Sequence, residues 1–289
     1  MVAQISQSGL MWLTAILVLV GNGVALIIPI FIHSPIIQNL IKPLTTSVFL
    51  MEGIFFLLPN NICFSESRLP NTGAALCILF IVVFAMLDNF LPDRNGGQAE
   101  NDQQETPEDH KPEGGKPSLD NVGNMRYITI IYVVIAWVTY MMIGMEFFAG
   151  RKHWGKTDIN PAFYFFFRFA TVQYVFGMYI MNDAPPLWLY LVYMIPLAVL
   201  FPLASILAYY INDHPKTDIE NCCRCFCTFM SGIFLYCGFR MMYQFQQFFK
   251  DEGDLKNKII QGATLAVGYL WMCFIAGILT MGYNNGPYC

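Results

Sequence analysis

Residues 186–211 read PLWLYLVYMIPLAVLFPLASILAYYI, an apolar run that contains no charged side chain. A helix needs about 20 mostly apolar residues to cross the hydrocarbon core of a bilayer, so this run is long enough to span it. Seven further stretches have the same character, and the eight together predict an all-α integral membrane protein. The predicted spans cover residues 10–32, 40–59, 74–91, 126–149, 161–181, 186–211, 226–247 and 259–282.

The composition of the whole chain also indicates a membrane protein. Of its 289 residues, 56% are hydrophobic and only 12% are charged, and the mean hydropathy is +0.48. Soluble domains carry about 25% charged residues, so this chain has too little charge to cover a water-exposed surface. A soluble enzyme, a nucleic-acid-binding protein and a disordered chain are therefore excluded. The expected partners are the lipid bilayer and, within it, a homodimer or a larger membrane complex.

The charge is concentrated in one segment, residues 92–124. This segment contains eight acidic and three basic side chains, together with four prolines and two Gly-Gly pairs. It has almost nothing to bury, so we expect an acidic, disordered loop. The predicted organisation is then a single membrane domain with helices 1–3 in residues 1–91 and helices 4–8 in residues 125–289.

The distribution of basic residues gives an expected orientation. Residues 1–8 carry no positive charge and do not read as a cleaved signal peptide, so the first apolar stretch is expected to remain as a span. Eight Lys and Arg residues then fall in the loops on one side of the membrane and six on the other. The excess places both termini on the non-cytoplasmic side and the acidic loop in the cytoplasm.

Ionisable side chains within predicted spans are the first candidates for function. Glu52, Glu146, Arg168 and Arg240 lie deep in four different spans, whereas Asp88 lies near the end of one. Such residues are costly in a bilayer and mark either ion pairing or a functional site. Two interpretations stay open: an acid pairs with Arg168 or Arg240, or the acids bind a cation.

The chain contains nine cysteines and four histidines, which are candidate metal ligands or modification sites. Cys222, Cys223, Cys225 and Cys227 cluster where the seventh span begins, which is typical of acylated juxtamembrane cysteines. The alternatives are that the cluster binds a soft metal or that it has no special role. The chain lacks a second cysteine cluster that would complete the ligands of such a metal. All four histidines fall in loops, and no span pairs a His with an acid, so no enzyme activity is expected.

The triplet Asn160-Pro161-Ala162 copies a short motif of water channels. Those channels carry two copies among six spans, whereas this chain has one copy and eight predicted spans. Asn as N-cap followed by Pro at the first helical position explains the triplet fully. We therefore predict that a helix begins here.

Four short motifs resemble those of the ZIP (Zrt/Irt-like) metal transporter family. Residues 17–29, LVLVGNGVALIIP, look like its Gly-rich first span, and residues 47–59, SVFLMEGIFFLLP, are similar to its second. Residues 231–236, SGIFLY, resemble the seventh-span motif, and residues 201–203, FPL, suit the sixth. The resemblance implies an eight-helix ZIP-like bundle that moves Zn²⁺ or a related divalent ion.

The chain departs from the family at the metal ligands. Phe56 stands where the second span has His, and Phe169, Val172 and Gln173 stand where the fifth has His, Pro and Glu. In the fourth span Met142 and Ile143 replace His and Asn, and only Glu146 keeps an acid; Met241 replaces the acid of the seventh. His110 is the one histidine of the acidic loop, which is His-rich in the family.

Two functions follow as expectations. The first is a divergent ZIP-like transporter with weakened transport, in which Glu146 is the principal cation ligand, Gln173 a carbonyl ligand and Glu52 an auxiliary acid. The second is a transport-inactive structural or accessory subunit of a membrane protein complex. The loss of ligands favours loss of transport, because a dehydrated divalent ion needs several anionic or imidazole groups.

Overall fold

The computed structural model describes residues 4–31, 35–57, 77–79, 81–83, 127–149, 155–181, 185–211, 226–227, 230–239, 241–242 and 255–280. Nearly all of them are helical. The long helices are α1 (Gln7–Phe31), α2 (Pro35–Met51), α3 (Tyr127–Phe148), α4 (Asn160–Met181), α5 (Leu187–Ile211), α6 (Met230–Phe239) and α7 (Leu255–Thr280). The predicted loop, residues 92–124, and most of the third predicted span lie outside the described residues.

Three of these helices are long and apolar enough to cross a membrane. They are α1, α5 and the part of α7 from Lys258 to Ile278. The sequence of α1 suits a bilayer, because one apolar face of the helix is buried against the other helices and a second apolar face is exposed. The exposed face carries Ile16, Val20, Val24, Ile27 and Phe31, at spacings of three or four residues. A continuous apolar stripe on the outside is unfavourable in water and favourable against lipid.

Helix α4 lies at the centre of the described bundle. It packs against α1, α2, α5 and α7, while α3 packs along α5 and α2 along α7. Glycines allow the close approach of α1 and α4. A methyl group added at Gly21 would lie 2.7 Å from a ring carbon of Phe166, and one at Gly177 would lie 2.9 Å from the Pro29 ring. Small residues at such contacts are typical of helix packing in membranes.

A two-stranded antiparallel ribbon joins the starts of α1 and α4. Strand β1 (Gln4–Ile5) pairs with β2 (Thr157–Asp158). The Gln7 side-chain amide also donates a 2.9 Å hydrogen bond to the carbonyl oxygen of Gly155. These contacts fix the register of α1 against α4, and α4 begins at Asn160, which confirms the predicted helix start.

Prolines inside α1 and α5 disturb the backbone hydrogen bonds of the turn before them. Side chains of other helices bind carbonyl oxygens in these turns. The Tyr190 hydroxyl donates to the carbonyl of Leu26, three residues before Pro29, at 2.8 Å. The Trp137 indole donates to the carbonyl of Tyr193, three residues before Pro196, at 2.9 Å. Neighbouring helices thus donate hydrogen bonds to carbonyls in the turns before Pro29 and Pro196, in each case one residue after the carbonyl that the proline leaves without its N–H donor.

Candidate functional site

The site begins where α2 ends. The chain continues from α2 as a π-helical segment, Glu52–Leu57, and Glu52 is its first residue. Such wide turns within helices often occur at functional sites. Opposite it, Arg168 lies near the middle of α4. Both side chains are 1% exposed, so two opposite charges meet in the interior of the bundle.

Arg168 and Glu52 form a close, multiply bonded ion pair. Arg168 Nε donates to Glu52 Oε1 at 2.9 Å and to Oε2 at 3.2 Å. Arg168 Nη2 also donates to Oε1. This pair is one of the acid–base combinations that the sequence left open. Several charge-assisted hydrogen bonds between one guanidinium and one carboxylate fix both side chains in a single geometry.

Aromatic rings surround the guanidinium on its remaining sides. Arg168 Nη1 donates to the Tyr164 hydroxyl at 3.0 Å. Arg168 Cζ lies 4.9 Å from the ring centre of Phe56, 5.5 Å from that of Phe169 and 5.7 Å from that of Tyr164. Rings at these distances attract a cation and exclude water. The positive charge is therefore held by one carboxylate, one hydroxyl and three aromatic faces.

Tyr140 of α3 lies in the next layer around the pair. Its ring centre is 4.4 Å from that of Phe169. Its hydroxyl is buried and has no hydrogen-bond partner among the described residues. Sequence reasoning missed Tyr140 and Tyr164, and it named Phe56 and Phe169 only as departures from the ZIP ligand pattern. Tyr164 carried a signal that could have been used, because it precedes Arg168 by four residues and so shares its face of the helix.

The other predicted ligands, Gln173 and Glu146, lie on α4 and α3. Gln173 is fully buried on α4, where its Nε2 donates to the carbonyl of Met194 at 2.9 Å and its Oε1 accepts no hydrogen bond from the described residues. Glu146 is half-buried near the end of α3. Within the described part of the chain, no three His, Cys, Asp or Glu side chains group closely enough to hold a metal ion.

Most of the remaining candidates lie outside the described residues. These are Arg240, Cys222, Cys223 and Cys225. Cys227 is described and its thiol is buried, so acylation at this position would require it to become accessible. Acylation of the cluster stays a prediction.

The fold and the site define a helical protein with membrane-length helices and a buried central ion pair. No protein-family model matches the chain, and no curated protein shows significant similarity to it. The ZIP resemblance accordingly rests on the sequence motifs alone.

Proposed function

We propose that the chain is a divergent ZIP-like membrane protein with eight spans. In this protein the Arg168 guanidinium lies at the centre of the bundle in place of a bound metal ion. In this proposal divalent-cation transport is weakened or lost, and the protein serves as a structural or accessory subunit of a membrane complex. Both termini face the non-cytoplasmic side. The observation that carries the proposal is the buried Arg168–Glu52 pair.

The energetics of the pair argue against a mobile divalent ion at the same place. Glu52 and Arg168 together carry no net charge, so they offer little net attraction to offset the dehydration of Zn²⁺. An ion that bound Glu52 would have to displace the guanidinium and leave Arg168 buried without its carboxylate. Breaking a buried ion pair in this way costs about 3–5 kcal/mol.

The positions of the aromatic side chains support the same proposal. Phe56 and Phe169 stand where the ZIP pattern has histidines in its second and fifth spans, and both rings face the Arg168 guanidinium. At two positions where the resemblance implies metal ligands, the side chains therefore contact the Arg168 guanidinium, a cation that belongs to the chain itself. Aromatic faces suit a guanidinium but supply no lone pairs for a hard divalent ion.

Retained transport is the competing function, and one observation favours it. The Gln173 side-chain oxygen is buried and unpartnered among the described residues, so it is able to act as the predicted carbonyl ligand. Glu146 would then be the principal ligand. Glu52, the predicted auxiliary acid, would contribute only after losing Arg168.

Zinc uptake by the purified full-length chain in liposomes tests the proposal, with bound metal measured by mass spectrometry. We expect uptake equal to that of protein-free liposomes and substoichiometric bound zinc. Saturable uptake would contradict loss of transport. Glu146→Gln is the matched variant, because uptake abolished by this change would assign the flux to Glu146 rather than to a leak.

The accessory role needs a separate measurement, since absent flux alone does not establish it. Native electrophoresis of solubilised source membranes should show the chain in a complex larger than the purified protein. Migration at the same size in both samples would contradict a subunit role.

A further inference from the structure

The outer surface of α5 carries one continuous stripe of exposed side chains. Trp188 and Tyr210 lie at its two ends, at 52% and 49% exposure. Each of these rings combines an apolar body with one hydrogen-bonding group. The exposed side chains between them recur every three or four residues and are all aliphatic: Val192, Ile195, Val199, Leu203 and Leu207.

The length of the stripe matches the thickness of one bilayer. Trp188 and Tyr210 are 22 residues apart on α5, which corresponds to about 33 Å along a helix axis. The hydrocarbon core of a bilayer is about 30 Å thick, and Trp and Tyr side chains are enriched at its two edges. Contact with another protein would not require amphipathic rings at this spacing, so the stripe fits lipid better than a protein partner.

A third exposed aromatic side chain, Trp12 of α1, lies at one of the same two levels. Helices α1 and α5 are antiparallel, because later positions of α1 bond earlier positions of α5. Asn22 bonds the carbonyl of Leu197. Trp12, at 45% exposure, lies ten residues before Asn22, and Tyr210 lies thirteen residues after Leu197. Trp12 and Tyr210 are therefore at the same end of the bundle.

The contacts between α4 and α5 give the level of the Arg168–Glu52 pair. Phe169 follows Arg168 in α4, and its ring centre lies 4.4 Å from that of Phe201 in α5. Phe201 is thirteen residues from one end of the stripe and nine from the other, so it lies about 3 Å from the midpoint of the stripe. The ion pair is therefore level with the middle of the stripe.

Trp271 of α7 is exposed at this central level, and its polar group is bonded within the protein. Its indole nitrogen donates to Thr171 Oγ1 at 2.9 Å, and Thr171 follows Arg168 by three residues in α4. The side chain is 38% exposed. A polar group in hydrocarbon is costly unless it is hydrogen-bonded, so the bonded Trp271 suits contact with lipid at the bilayer centre.

We propose that α5 presents this stripe to the acyl chains of a bilayer, with Trp188 and Tyr210 in opposite headgroup layers and the Arg168–Glu52 pair near the bilayer centre. The inference rests on the membrane insertion in the proposed function. It is independent of whether transport is lost.

Depth-dependent quenching of tryptophan fluorescence tests the proposal. The full chain is reconstituted in liposomes whose lipids are brominated either near the headgroup or near the end of the acyl chain. The emission lost in Trp188→Phe, taken as wild type minus variant, should be quenched about twofold more strongly by the shallow bromines, because the ring lies at the headgroup level. The emission lost in Trp271→Phe should show the opposite preference.

A change along the same stripe gives the matched control. Adding Val199→Trp to Trp188→Phe moves the emitter by eleven residues, about 16 Å along the helix, and should convert shallow quenching into deep quenching. Deep quenching of Trp188, or equal depths for Trp188 and Trp271, would overturn the proposal while leaving insertion intact. Wild-type emission that neither lipid quenches would overturn it together with the membrane-spanning part of the proposed function.

Discussion

At the scale of single residues, Arg168 and Glu52 form a charged pair in the interior of the bundle. Each charge is buried at 1% exposure and is compensated mainly by the other. Replacing one partner leaves the other charge buried and unpaired, which costs more than replacing both. The pair should therefore behave as a unit in mutagenesis.

We expect Glu52→Gln to lower the free energy of unfolding by about 3–5 kcal/mol, because Arg168 loses its carboxylate. The double change Glu52→Gln with Arg168→Met removes both charges and should be less destabilising than Glu52→Gln alone. Unfolding in detergent followed by tryptophan fluorescence measures both. Losses that simply add in the double variant would show that the two side chains do not interact.

The sequence alone identified both members of this pair as candidates and left open which acid pairs with which base. Charge within an apolar run is visible in a sequence, whereas the face on which each charge lies depends on how the helices pack. The π-helical segment after α2, which begins at Glu52, was not predictable from the sequence. Phe56 was recognised only as a departure from a motif, and its contact with the guanidinium appears in the structure.

At the scale of helices, apolar length predicted most described elements closely. The prediction of 126–149 corresponds to α3 at Tyr127–Phe148, and that of 186–211 to α5 at Leu187–Ile211. Helix neighbours were not predictable, because an apolar run that faces helices on one side and lipid on the other shows no polar face. The central place of α4 emerges only from packing.

Two glycines of α1 give a matched test of the packing between α1 and α4. A methyl group at Gly21 would lie 2.7 Å from Phe166, whereas one at Gly23 would meet no described atom within 4 Å. Gly21→Ala should destabilise the protein by about 1–3 kcal/mol through overpacking. Gly23→Ala should be neutral or stabilising by up to about 1 kcal/mol, because alanine favours the helix. Thermal unfolding in detergent compares the two; equal effects would place the contact elsewhere.

At the scale of the whole molecule, contacts join the helices that precede and follow the acidic residues 92–124 in the chain. Helix α1 packs on α4 and α5, α2 packs on α4 and α7, and Glu52 bonds Arg168 across the same division. The covalent link through residues 92–124 should therefore be dispensable for assembly.

Residues 1–91 and 125–289 expressed as separate chains should copurify in mild detergent through an affinity tag on either one. Glu52→Arg in the first fragment places like charges together and should reduce the yield of the complex severalfold. Exposed Lys156→Ala is a suitable control in the second fragment and should have no effect. Fragments that never associate would contradict this view of the interface.

The cation in the middle of the bundle, the Arg168 guanidinium, is part of the chain. The most direct test removes this guanidinium by mutation and supplies guanidinium again as a soluble ion. Arg168→Gly leaves Glu52 without its partner, and millimolar guanidinium should bind there and raise the melting temperature of this variant. The wild type and the double variant Arg168→Gly with Glu52→Gln should show no such rise. Stabilisation of Arg168→Gly by guanidinium alone is the predicted result; no stabilisation, or an equal rise in all three proteins, would contradict the account.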